Sequence, residues 1–137
     1  MLVKDIMNSN VEVINCEKSV FDAAQMMARG DYGSLPVERD DKMIGMITDR
    51  DITIRVVAER KDPSKTKVYD CMTEKITYCF DDEDVEGIAD KMKSAQIHRI
   101  PVVNRDKRLV GIVSSKELVS NAQNPKVTQE TLNQIYQ

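Results

Sequence analysis

Two stretches of this chain place a hydroxyl three residues before a carboxylate: Thr48-Asp49-Arg50-Asp51 and Ser114-Ser115-Lys116-Glu117. A carboxylate can accept two charge-assisted hydrogen bonds from neighbouring hydroxyls. A hydroxyl beside the free N–H groups of a helix start suits a phosphate. The same spacing is also that of a capping box, in which the pair only satisfies orphan N–H groups. The local pattern alone favours the cap. A third stretch, His98-Arg99, offers a planar guanidinium fork for phosphate oxygens and an imidazole donor. It equally describes a solvated arginine and a lone histidine at a strand edge. With one histidine in the chain, no Ser/His/Asp or Cys/His arrangement is supported, and intrinsic catalysis is disfavoured. The three cysteines, Cys16, Cys71 and Cys79, are an odd count without C-x-x-C spacing, which fits reduced thiols. No metal cage of His and Cys ligands is expected. Asp81-Asp82-Glu83-Asp84 reads as a solvated turn before a helix, where negative charge is favoured, rather than as a hard-cation site.

The elements that must position these groups come from an internal repeat, which is decisive for the fold. A shift of 65 lays Val3-Lys4-Asp5-Ile6-Met7 on Val68-Tyr69-Asp70-Cys71-Met72, and Leu35-Pro36-Val37 on Ile100-Pro101-Val102. One residue then enters the second copy, in the polar turn Val103–Lys107, where length changes are best tolerated. At a shift of 66, Gly45-Met46-Ile47-Thr48 meets Gly111-Ile112-Val113-Ser114. Each copy reads β-α-β-β-α. Strands are expected over Val11–Ile14 and Ile76–Cys79. Helices follow, capped by Ser19 and Asp84, with stripes Val20, Ala23, Ala24, Met27 and Val85, Ile88, Ala89, Met92. Gly30 suits the end of the first. Apolar runs Leu35–Val37 and Met43–Ile47, then Ile100–Val103 and Leu109–Val113, read as strands. Second helices start near Thr48 and Ser114. The predicted class is α/β (α+β), with tandem repeats related by a pseudo-two-fold. Residues 1–61 form the first repeat, 62–67 the linker, 68–121 the second repeat and 122–137 a C-terminal extension. Leu132 and Ile135 suggest a short docking helix there.

Composition narrows the functional class. The chain has 137 residues, 41% of them hydrophobic and 31% charged, with a net charge of -3. That balance argues against bulk nucleic acid or anionic membrane as partner. No apolar run approaches the roughly 20 residues that span a bilayer. Met1-Leu2-Val3-Lys4-Asp5 has no apolar signal core, so a cytoplasmic location is expected.

With Asp5-Ile6-Met7 and Asp70-Cys71-Met72, the two Pro-Val pairs, and Gly45–Asp51 with Gly111–Glu117 in the same order twice, the sequence resembles the CBS-domain family. The run from Thr48 to Pro63 resembles stand-alone bacterial CBS pairs of the hypoxic response protein type. The resemblance implies a Bateman module: a non-catalytic regulatory unit that senses an adenosyl ligand (AMP, ADP, ATP, NAD or S-adenosylmethionine) and dimerises. It gives Asp51 the ribose hydroxyls and Thr48 the phosphate, with His98 and Arg99 facing the phosphate from the other repeat. One full site in the cleft between the repeats is expected from Thr48, Arg50, Asp51, Thr73, Ile76, Thr77, His98, Arg99 and Pro101. A second, weaker site combines Gly33, Ser34, Pro36, Ser114 and Glu117. It lacks both the Asp and the cation, and Glu117 is read there as a structural cap. AMP is the first expectation, since one Arg, one His and helix N–H groups suit a monophosphate. A ligand-free dimerisation scaffold is the alternative. Tyr32, Tyr69 and Tyr78 are candidates for adenine stacking. A homodimer is expected, from the resemblance and from Ile52, Ile54, Val56 and Val57, which exceed one core stripe.

Overall fold

A computed structural model of the chain describes residues 1–120. The proposed C-terminal docking helix with Leu132 and Ile135 lies outside the described residues. The mixed α/β class predicted from the repeat is the observed one, with two three-stranded sheets. The described chain divides into two compact units: Glu12–Ile76, and Met1–Val11 together with the described residues from Thr77.

The Glu12–Ile76 unit contains β1 (Ile14–Asn15), α1 (Val20–Gly30), β2 (Ser34–Arg39), β3 (Lys42–Thr48) and α2 (Asp49–Ile52). A wider helical turn, Thr53–Val57, follows α2. Strand β1 runs parallel to β2, and β3 pairs antiparallel on its other side, with Ile14 and Gly45 both opposite Val37. The hairpin turn is Asp40-Asp41, both residues at positive φ (51° and 65°), the backbone a two-residue hairpin with native twist requires. Ser19 caps α1 by accepting the Asp22 N–H at 3.1 Å. Val20, Ala23 and Met27 of the predicted stripe are buried against Leu35, Val37 and Ile47, while Ala24 is half-buried.

The second unit repeats this order with β4 (Cys79–Phe80), α3 (Val85–Ala95), β5 (Arg99–Val103), β6 (Leu109–Ser114) and α4 (Ser115–Ser120). Cys79 and Gly111 both stand opposite Val102, the counterpart of Val37. Asp84 caps α3 through the Glu86 N–H at 3.0 Å. Ile88 and Met92 pack with Ile100, Val102 and Val113.

One local expectation needs correction. The strands placed over Val11–Ile14 and Ile76–Cys79 are shorter and begin at Ile14 and Cys79. Val13 is 38% exposed, so the apolar run before Ile14 is not a ladder against β2. Gly30 is the last residue of α1, at the end expected for it, and the left-handed cap that follows is Asp31 at φ 55°, a conformation aspartate tolerates better than most residues. Gln96 does the same after α3.

Each sheet receives the Asp-x-Met segment that opens the other repeat. Thr73 and Met46 exchange backbone hydrogen bonds of 2.8 and 3.0 Å, which seats Val68–Thr73 beside β3. Asn8 and Ile112 exchange bonds of 2.8 and 2.9 Å, which seats Val3–Asn8 beside β6. The glycine in each strand allows this approach. A Cβ on Gly45 would stand 2.7 Å from the Thr73 carbonyl oxygen, and one on Gly111 2.5 Å from the Met7 sulfur. Val68, Cys71 and Met72 accordingly belong to the core of the Glu12–Ile76 unit, and Val3 and Ile6 to that of the other.

Candidate functional site

Strand β3 ends at Thr48, whose extended backbone leaves the first N–H groups of α2 without acceptors inside the helix. Thr48 Oγ1 accepts the Asp51 N–H at 3.0 Å. Asp51 Oδ2 accepts the Thr48 N–H, also at 3.0 Å. The capping reading of this pair is therefore physically realised. It does not exhaust Asp51. Its Oδ1 accepts the Thr73 hydroxyl at 3.1 Å, and Arg55 Nε stands 3.9 Å from the same oxygen. Asp51 is 8% exposed and is the buried charged residue among the described ones. A carboxylate is retained out of water only with donors such as these around it.

Arg55 was not singled out by sequence. Its Nη1 donates to the carbonyls of Cys71 at 3.1 Å and Met72 at 2.8 Å. The one signal available was its position four residues after Asp51, which reads as an ordinary surface ion pair on a helix. Cys71 lies beside this group. Burial pushes its thiol up, and the nearby Asp51 carboxylate adds to the shift, while Arg55 opposes it.

In the other unit the corresponding pair closes differently. Glu117 Oε2 accepts the Ser114 N–H at 2.8 Å and also the Ser114 hydroxyl. Arg99 opens β5 directly across from Ser114, and the His98 carbonyl accepts the Ser115 N–H at 3.1 Å. In the first unit, Ser34 stands across from Thr48 and the Gly33 carbonyl accepts the Asp49 N–H at 2.9 Å. Arg99 and His98 are thus the positional counterparts of Ser34 and Gly33.

Of the predicted full-site residues, Thr48, Arg50, Asp51, Thr73 and Ile76 belong to the Glu12–Ile76 unit. Among them the structure joins Thr48, Asp51 and Thr73 by hydrogen bonds. Arg50 is exposed and Ile76 half-buried. Thr77, His98, Arg99 and Pro101 belong to the other unit, with His98 and Arg99 exposed and Pro101 buried in β5. Of the second set, Gly33, Ser34 and Pro36 are in the first of these units, and Ser114 and Glu117 in the other.

The tyrosines have local partners. The Tyr32 hydroxyl bonds to Glu12, the Arg39 guanidinium lies 4.6 Å from the Tyr69 ring centre, and Tyr78 meets Phe80 edge-on at 5.8 Å. Of the acidic run, Asp84 caps α3, Asp82 pairs with Arg105 and Glu83 with Lys91. Among the described residues no three His, Cys, Asp or Glu side chains converge as a metal site. No helix among them is long and apolar enough to cross a membrane.

Comparison with known proteins gives a consistent set of likenesses. The CBS domain family matches residues 3–58 and 68–124. The uncharacterized protein YlbB of Bacillus subtilis is 35% identical over 118 residues, covering 85% of this chain and 78% of its own length. Hypoxic response protein 1 of Mycobacterium tuberculosis is 34% identical over 116 residues, covering 84% of this chain and 80% of its own. The crystal structure of Hypoxic Response Protein I with two coordinated zinc ions superposes with a TM-score of 0.79 at 32% identity, over 88% of this chain and 98% of that one. A CBS domain pair in complex with 5′-methylthioadenosine and S-adenosyl-L-methionine superposes with a TM-score of 0.73 at 30% identity, over 88% of this chain and 94% of that one.

Proposed function

This chain belongs to the CBS domain family as a pair of repeats, a regulatory module, and from that premise we propose that it senses an adenosyl ligand through Thr48, Asp51 and Thr73. The observation that carries the reading is the Asp51 carboxylate, buried yet shared between its own helix start and the Thr73 hydroxyl. A carboxylate so held is fixed in orientation and keeps lone pairs for vicinal ribose hydroxyls. The adenosyl ligands of the related pair at 30% identity support the same ligand class. Within that class AMP is our first choice. His98 and Arg99 are the assigned phosphate groups, and one guanidinium with one imidazole suits a monophosphate better than ATP or ADP, with NAD as a further choice. The module then signals to a partner as a cytoplasmic protein, without catalysis of its own.

A melting panel of AMP, ADP, ATP, NAD and S-adenosylmethionine tests this. A ligand at 100 times its dissociation constant adds about 2.7 kcal/mol if it binds only the folded chain. The phosphate assignment has its own test. AMP should outbind adenosine by about 1.5–3 kcal/mol, and Arg99→Ala should erase most of that preference while leaving adenosine affinity nearly constant. Equal losses for both ligands would remove Arg99 from the site.

The second reading, a dimerisation scaffold without ligand, is favoured by the completed caps at Thr48–Asp51 and Ser114–Glu117. No shift with any member of the panel would select it. Either reading includes a homodimer. Val56 proves to be core and Ile52 packs against it, but Ile54 and Val57 remain 45% and 62% exposed. Light scattering giving a mass near 15.6 kDa would exclude the dimer.

A further inference from the structure

The guanidinium of Arg55 joins two things that lie far apart in the sequence: the Asp51 carboxylate and the carbonyls of Cys71 and Met72. The distances rank these contacts. At 3.9 Å, Arg55 Nε is too far from Asp51 Oδ1 for a hydrogen bond and acts as a nearby charge. At 2.8 and 3.1 Å, Nη1 makes true charge-assisted bonds to the two carbonyls. Arg55 lies within the wide turn Thr53–Val57, a local departure from α geometry of the kind concentrated at functional positions.

The segment it grips ends in Thr73, whose hydroxyl donates to Asp51 and whose backbone pairs with Met46. Gly45 lets that segment lie directly against β3, with no room for a side chain between them. Arg55 adds a side-chain grip to that backbone contact. By the repeat alignment the position equivalent to Arg55 is Asn121, which carries no cation.

We propose that Arg55 is a positioning residue: it clamps Cys71–Met72 so that the Thr73 hydroxyl stays on Asp51, and thereby sets the carboxylate that receives the ligand's ribose. The ligand half of this statement rests on the adenosyl reading above; the clamp half does not.

Two measurements on the full chain separate them. The first is amide hydrogen exchange without ligand in Arg55→Gln. The Thr73 and Met46 amides should exchange at least about ten-fold faster, while Asn8 and Ile112, which make the matching pair in the other unit, keep their rates. Unchanged exchange at Thr73, or equal acceleration at Asn8, overturns the clamp. Arg55→Lys should restore part of the protection, since an ammonium reaches carbonyls but lacks the fork.

The second is AMP affinity in wild type, Arg55→Gln, Thr73→Val and the double variant. Each single change should weaken binding roughly ten-fold, and the double variant should lose little more than either alone, because both act through one bond. Losses that multiply would give Arg55 a ligand contact of its own and overturn the positioning role. Wild type binding no member of the adenosyl panel, with the exchange result as expected, would defeat the adenosyl reading and the ligand half while leaving the clamp.

Discussion

In the Glu12–Ile76 unit, the acid three residues after the last hydroxyl of β3 is an aspartate; after β6, in the other unit, it is a glutamate. The surrounding frame is nearly the same. Both hairpins place a glycine opposite the middle valine, Val37 or Val102, and both seat an Asp-x-Met segment beside that glycine. In both, the residue just before the first hairpin strand accepts the first amide of the helix that follows the hairpin, Gly33 from Asp49 and His98 from Ser115. One methylene then separates the two outcomes. The short Asp51 side chain gives one oxygen to its own helix start and the other to Thr73. The longer Glu117 side chain turns back, so that its Oε2 serves both the amide and the hydroxyl of Ser114. The Asp51 carboxylate is thus divided between its own helix start and the neighbouring segment, while Glu117 Oε2 serves Ser114 twice.

The comparison breaks most severely at the glycines. In Gly45→Ala the new methyl meets the backbone oxygen of Thr73 at 2.7 Å, and backbone cannot swing aside. In Gly111→Ala it meets the Met7 side chain at 2.5 Å and the Asn8 oxygen only at 3.1 Å, and a methionine adapts. Gly45→Ala should cost about 2–3 kcal/mol by denaturant unfolding and Gly111→Ala about 1 kcal/mol. A reversed order would mean that the two seated segments are held in some other way.

A smaller effect sharpens it at Thr73. Thr73→Val removes the hydroxyl from Asp51 and leaves a buried carboxylate oxygen short of a donor. It should cost about 1 kcal/mol, with folding still cooperative. Asn8→Ala, at the matching position, should cost less, since its Oδ1 only accepts the exposed Asn10 N–H. Urea melts of the two variants check this, and equal losses would deny Thr73 its special role.

The smallest effect is alkaline. Cys79 occupies the place that Ile14 fills in the other sheet, and burial, with Glu83 nearby adding to it, pushes its thiol up to about 12. The folded chain therefore keeps a proton that the unfolded chain releases above its ordinary value of 9.0. That contribution is full below about pH 9 and is lost as pH climbs towards about 12. Melting temperatures across that window should fall less steeply in Cys79→Val than in wild type; parallel profiles would contradict it.

Much of this frame is readable from residue order. Ser19 and Asp84 announce helix starts because a side-chain oxygen before an apolar stripe has few other uses. The hairpin strands follow from paired apolar runs. The exchange of Asp-x-Met segments is not readable, because Val3–Met7 and Val68–Met72 are alike and no periodicity says which sheet an apolar segment joins. The starts of β1 and β4 slipped for a related reason: Val11 and Val13 look like strand residues, but pairing depends on where β2 lies. Arg55 stayed hidden because its partners are backbone carbonyls, which leave no mark on sequence.

Asp51 is proposed to serve a ligand, and Glu117 is read as a structural cap. Calorimetric titration of AMP into Asp51→Ala and Glu117→Ala tests it most directly. The account predicts a loss of about 1.5–3 kcal/mol for Asp51→Ala, the range for hydrogen bonds to a charged group, and almost none for Glu117→Ala. Equal losses in the two variants would contradict it.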